Sequence, residues 1–223
     1  MRMDLLGNAL IRVIGGAVIL GVLLFLPAGT FAWRNAWLFL GLLFVPMVIV
    51  GSVMFVKSPD LLRKRLNAKE ERAEQKDVVG YSGLMFIAAF VLAGLNYRFG
   101  WVTFPRGTVA AGAVLFILSY IMYVEVIREN AFLSRTVEIQ ENQTVVDTGL
   151  YGIVRHPMYA ATIVLFLSMA LILDSPVSFL IMLTYIPIIV KRTLDEERAL
   201  ADGLVGYREY MGKVRYRLVP FVW

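Results

Sequence analysis

The chain's one histidine, His156, lies in the run Arg155-His156-Pro157-Met158-Tyr159, where a guanidinium, an imidazole and a phenol fall within five residues. Proline suits the first helical turn, where its missing N–H costs nothing, and it keeps the residue before it out of the α region. The run therefore predicts a helix starting at Pro157. Its free N–H groups and positive dipole end would lie beside His156 and Tyr159, a place suited to a polar or anionic ligand group. A second cluster, Lys191-Arg192-Thr193-Leu194-Asp195-Glu196-Glu197-Arg198, stands where the last apolar stretch ends. Helical spacing puts Arg192, Glu196 and Leu200 on one stripe, which Leu204, Tyr207 and Met211 extend, so Glu196 is expected to point toward protein.

Each of these residues also has a plainer reading. Arg192 and Glu196 could form an i,i+4 ion pair, although base before acid is the less favourable order on a helix. Arg155 could be a snorkelling anchor at the membrane boundary, and Tyr159 a member of an aromatic belt. His156 could be a satisfied capping residue. Glu209 and Lys213, in the favourable order on a polar stretch, read as a solvated pair without function. Cysteine is absent, which excludes thiol nucleophiles, zinc knuckles and disulfide scaffolds, and one histidine leaves no multi-histidine metal site.

The elements that must position these groups are membrane helices. Of 223 residues 59% are hydrophobic and 17% charged, against about 25% charged in an ordinary soluble domain, and the mean hydropathy is +0.70. About 20 apolar residues cross a bilayer core, and Val13–Ala32, Trp37–Val56, Val78–Tyr97 and Thr108–Ile127 reach that length. Pro157–Leu173 and Pro176–Val190 are shorter, separated by Asp174 and Ser175, and read as a tight helical hairpin. The expected fold is all-α: a polytopic bundle of about six spans with a C-terminal cytoplasmic helix. An N-terminal four-helix membrane region would occupy 1–127, and a cofactor-binding core 128–223.

Orientation follows from Lys and Arg, which are retained on the cytoplasmic side of short loops. With six spans and both ends inside, only Arg34, Arg98 and Arg106 of the 22 basic residues fall outside. The N-terminus, with Arg2 and Arg12 before an apolar stretch, reads as a retained first helix rather than a removed signal. The 57–77 loop holds seven basic and five acidic residues and suits a solvated surface helix near anionic headgroups.

The runs GLYGIVRHPMYA, RTLDEERAL, GYREYMGKV and RYRLVPFVW, with the hairpin after the first, resemble the C-terminal half of the isoprenylcysteine carboxyl methyltransferase family of integral membrane enzymes. The likeness covers roughly residues 129 to 223 and is most specific at RHPMY and at Arg192, Glu196 and Glu197. It implies transfer of a methyl group from S-adenosylmethionine, held in a cytoplasm-facing pocket, to a lipophilic substrate arriving from the bilayer. Matched residue by residue, it implies that Gln143, Thr144, Val145, Val146, Tyr151, His156, Pro157, Met158, Tyr159 and Glu196 hold the cofactor. Arg192 would take the substrate carboxylate, and Arg192 and Glu196 would be the catalytic pair. Two features depart from the family pattern: Gln143 stands where histidine is common, and the chain is one residue shorter between Leu200 and Tyr207.

Methyl transfer is an in-line displacement that needs alignment and exclusion of water more than acid–base chemistry, which agrees with a sequence so poor in nucleophiles. Two other functions remain open on the sequence. An NADPH-dependent membrane sterol or enone reductase would share a similar hairpin and ending, but no glycine-rich dinucleotide fingerprint occurs here. A non-enzymatic membrane protein would use the charged clusters only as topology anchors. The implied partners are a lipid or lipid-modified substrate and the membrane itself, with no nucleic acid and no metal.

Overall fold

The computed structural model describes residues 2–66, 73–133 and 140–223, and among these all regular structure is helical. The helices are α1 (Arg2–Ala28), α2 (Arg34–Lys57), α3 (Pro59–Leu66), α4 (Ala73–Phe99), α5 (Thr108–Glu129), α6 (Pro157–Ile172), α7 (Pro176–Leu183), α8 (Tyr185–Gly203) and α9 (Tyr207–Lys213). Five segments are long and apolar enough to cross a membrane: Asp4–Ala28, Arg34–Lys57, Val79–Phe99, Thr108–Glu129 and Pro176–Gly203. The sixth apolar helix, α6, has 16 residues.

Three boundaries differ from the sequence expectation. The first helix starts at Arg2, not Val13, because a charge does not stop a helix; Arg12 bonds Asn8 one turn back at 2.9 Å. It ends at Ala28, where Gly29 turns to φ +68°. The charged residues from Ala73 to Asp77 belong to α4 rather than to a loop, while 67–72 lie outside the described residues. The short α3 buries Leu62 against Leu5 and Met54, so part of the expected surface helix is tucked under the ends of α1 and α2. Finally, the last apolar run continues to Gly203 across a break at Thr184. Pro187 has no N–H to give the carbonyl four residues back, so the helix bends there.

Helix packing rests on small residues and aromatic rings. A Cβ on Gly112 of α5 would lie 2.7 Å from the Leu171 Cβ of α6, and one on Gly94 of α4 would lie 2.7 Å from the Leu24 carbonyl of α1. Close approach of this kind holds membrane helices together where lipid offers no hydrophobic drive between them. Between these contacts Phe39 meets Phe90 and Phe116, and Phe166 meets Phe86 and Tyr185 edge-on at 4.7 Å. Buried hydroxyls are satisfied by carbonyls: Ser178 donates to Ala89 and Tyr120 to Leu43. The outward faces of α1 and α2 are a continuous apolar surface that includes Ile11, Ile14, Val18, Ile19, Val48 and Ile49, as lipid contact requires.

Up-and-down alternation sorts the connections. At one end Trp33 stacks on Tyr97, and Phe104 N–H donates to Asp174 at 2.9 Å. The other end gathers the segments 130–133, 140–156 and 204–223, which carry the chemistry read from the sequence.

Candidate active site

His156 has φ −125° and precedes α6, whose first residue is Pro157, so the proline sets the helix start as its chemistry dictates. The approach to that start is fixed by the C-terminal segment. Arg155 N–H donates to the Tyr216 carbonyl and His156 N–H to the Arg217 carbonyl, both at 2.9 Å. Side chains repeat the tie. Arg155 Nε reaches Glu197 at 2.6 Å, and its Nη1 donates to the carbonyls of Val214 and Arg215 at 2.7 and 2.9 Å. Arg217 Nε reaches the other Glu197 oxygen at 2.8 Å. With Arg155 5% and Glu197 4% exposed, this is a buried ion-pair knot that joins α6, α8 and the C-terminal segment.

Arg155 is therefore not a snorkelling anchor; it is a buried tie that also borders the site. Tyr159, 5% exposed, is not a belt residue. Its hydroxyl donates to Glu196 and accepts from Arg192 Nε at 2.9 Å. The phenol of α6 thus bridges an acid and a base one turn apart on α8. Its ring stacks on His156, centroids 5.6 Å apart.

These groups border one open-mouthed cleft. One wall is the segment from Gln143 to Val146, a second is Tyr151, His156, Met158 and Tyr159, and a third is Glu196, Ala199 and Leu200. Leu204, Tyr207 and Tyr210 close it. The Tyr210 hydroxyl donates to the Tyr151 carbonyl at 2.7 Å, and the Tyr151 hydroxyl accepts from Asn130 at 3.0 Å. Burial pushes the Tyr207 phenol far above its ordinary ionisation range, and the carboxylates of Glu197 and Glu196 push it further, so it stays protonated. Tyr210 is raised in the same way, by burial first.

Residues 108–203 match the family model described as phospholipid methyltransferase. That stretch runs from α5 through α8. The fold agrees: the eukaryotic intramembrane Ras methyltransferase, isoprenylcysteine carboxyl methyltransferase, superposes with a TM-score of 0.56 at 19% identity, over 92% of this chain and 74% of that one. No curated protein sequence matches the chain.

Nine of the ten residues expected to hold a cofactor line one cleft: Gln143, Thr144, Val145, Val146, Tyr151, His156, Met158, Tyr159 and Glu196. Pro157 does not line it; it is buried beneath the wall as the first residue of α6. Arg192 is also off the lining, on the far side of the Tyr159 hydroxyl. The apolar stripe is not one helix: α8 ends at Gly203 and α9 begins at Tyr207, so Leu204, Tyr207 and Tyr210 fold back over the cleft. Lys213 pairs with Asp147 at 2.6 Å rather than solvating beside Glu209, and the ammonium holds the Asp147 carboxyl below its usual range. The sequence marks Glu197 only as part of the family likeness, with no role, and does not mark Arg217 as a site-building residue. The only signal was the Glu-Glu doublet, in which one carboxylate faces the cleft and its neighbour the knot.

Proposed function

We propose that this protein transfers a methyl group from S-adenosylmethionine to a lipophilic acceptor at the cytoplasmic face of the membrane. One observation carries the reading: segments 143–146, 151–159 and 196–200, distant in sequence, border one cleft that mixes polar and apolar walls. The fit to an adenosyl sulfonium donor rests on that mixture. Glu196 suits the ammonium or ribose hydroxyls, while the buried His156 imidazole on the same cleft suits the donor carboxylate. Val145, Val146, Leu200 and Leu204 offer an apolar wall for adenine. Tyr159 presents a ring face near which a sulfonium is stabilised by cation–π attraction.

Bound there, S-adenosylmethionine supplies an electrophilic methyl whose bond to sulfur breaks as a bond to the acceptor forms, leaving a neutral thioether. The chain's own residues align the partners and keep water out, an effect worth up to about 7–11 kcal/mol. Arg192, with its permanent charge and planar fork, suits an acidic group on the acceptor. This favours a lipid-borne carboxylate, as on a prenylated cysteine, over a phospholipid amine. A carboxylate acceptor has no proton to lose, so its methylation requires no general base. The skew of Lys and Arg supports both termini in the cytoplasm, and we assign cofactor binding to the unit 128–223, with 1–127 as the membrane region that admits the acceptor.

Calorimetry of the purified protein with S-adenosylhomocysteine and with NADPH tests the reading. Binding of the first, together with methyl transfer from labelled S-adenosylmethionine into the lipid extract of membranes, is expected. Binding of NADPH alone would overturn it.

A further inference from the structure

Two buried polar side-chain atoms bordering the cleft have no hydrogen-bond partner among the described residues: His156 Nε2 and the Tyr207 hydroxyl. The imidazole is at least close to a carboxylate, 3.3 Å from Glu197, though not in hydrogen-bonding geometry. The phenol has nothing, although Tyr207 is only 5% exposed. Buried hydroxyls in folded proteins are paired, and an orphan needs a reason. The local fold does not supply one. Tyr210, three residues on in the same short helix, is equally buried and donates to the Tyr151 carbonyl at 2.7 Å. Tyr207 lies against Tyr210, ring centroids 5.6 Å apart, and a Cβ placed on its neighbour Gly206 would lie 3.9 Å from Val145 across the cleft. The hydroxyl is thus enclosed by the site and left without a partner among the described residues.

Its surroundings say which part of a ligand it would meet. Glu197, Glu196 and Arg155 all act on it electrostatically, which puts it at the charged end of the cleft. Protonated among carboxylates, it can offer a hydrogen bond. Resting on the methyl-donor reading above, we infer that the Tyr207 hydroxyl is a ligand-binding group that donates to the amino-acid end of the donor. It completes a site that neither the family likeness nor the apolar stripe assigned to it. The orphan hydroxyl in the ligand-free protein is the counterpart of a bond made when the donor binds.

Tyr207→Phe removes the oxygen and keeps the ring. Calorimetry with S-adenosylhomocysteine is expected to show about tenfold weaker binding, one hydrogen bond to a charged group. Binding of methylthioadenosine, which lacks the amino-acid end, should stay within about twofold of wild type on the same scale. The unfolding midpoint of the ligand-free variant should equal or exceed that of wild type, since no protein bond is lost. Tyr210→Phe should lower that midpoint, because it strips the Tyr151 carbonyl of its donor. Unchanged affinity for S-adenosylhomocysteine in Tyr207→Phe, an equal loss for methylthioadenosine, or a midpoint lowered like that of Tyr210→Phe would each overturn the inference. Wild-type protein that binds no S-adenosylhomocysteine would bring down the methyl-donor reading itself, and this inference with it.

Discussion

Exchange of Glu197 for Gln probes the buried knot that holds the site together. The carboxylate accepts from Arg155 at 2.6 Å and Arg217 at 2.8 Å, with His156 3.3 Å away. Gln keeps the size and one acceptor oxygen, but its NH2 group must face one of the guanidinium groups and the charge is gone. Arg155 then keeps a full charge at 5% exposure with only the Val214 and Arg215 carbonyls to answer it. Removing one partner of a buried pair costs about 3–5 kcal/mol. Arg217, whose side chain is 28% exposed, can turn toward water, which sets the loss at the lower end, about 3 kcal/mol. At roughly 2–4 °C per kcal/mol for a chain of this length, the unfolding midpoint falls by about 6–12 °C. Tryptophan fluorescence during heating in detergent reads that shift. Limited proteolysis should also cut the segment after residue 213 faster, since that segment is tied down by the same charges. A midpoint within about 2 °C of wild type would mean that the knot carries little stability, and the account of the site's construction would fail.

Gly112→Ala puts a methyl 2.7 Å from Leu171 Cβ and 3.1 Å from the Ile172 nitrogen, so it should cost about 1–3 kcal/mol in thermal unfolding, while Gly41→Ala, with nothing within 4 Å, should be neutral. Arg192→Lys keeps the charge but loses the planar fork, so KM for a carboxylate acceptor should rise about tenfold with donor affinity unchanged by calorimetry; full activity would count against the carboxylate role. Lys213→Ala removes an exposed partner of Asp147 and should leave the unfolding midpoint where it is.

The helix start at Pro157 could be read from sequence because a proline's constraint is covalent and local. The apolar spans could be read because the bilayer sets their length. The inward aim of Glu196 followed from 3.6-residue spacing alone. Other features depend on distant partners that no local pattern encodes. Glu197 finds Arg155 42 positions away and Arg217 20 positions away, and Lys213 passes over Glu209 for Asp147, 66 positions back. Tyr207 counted as apolar because most of a phenol is hydrocarbon, so its hydroxyl became visible only when the break between Gly203 and Tyr207 folded α9 over the cleft.

The phenol of Tyr159 is a single oxygen shared by two opposite charges on a neighbouring helix. A molecule that draws the Arg192 guanidinium toward itself pulls on the same atom that steadies the Glu196 carboxylate. A ligand beside Glu196 and a group drawn to Arg192 would then sense each other through one hydroxyl, with no backbone movement, and an inhibitor that fills the cleft would serve as a gauge of what Arg192 holds.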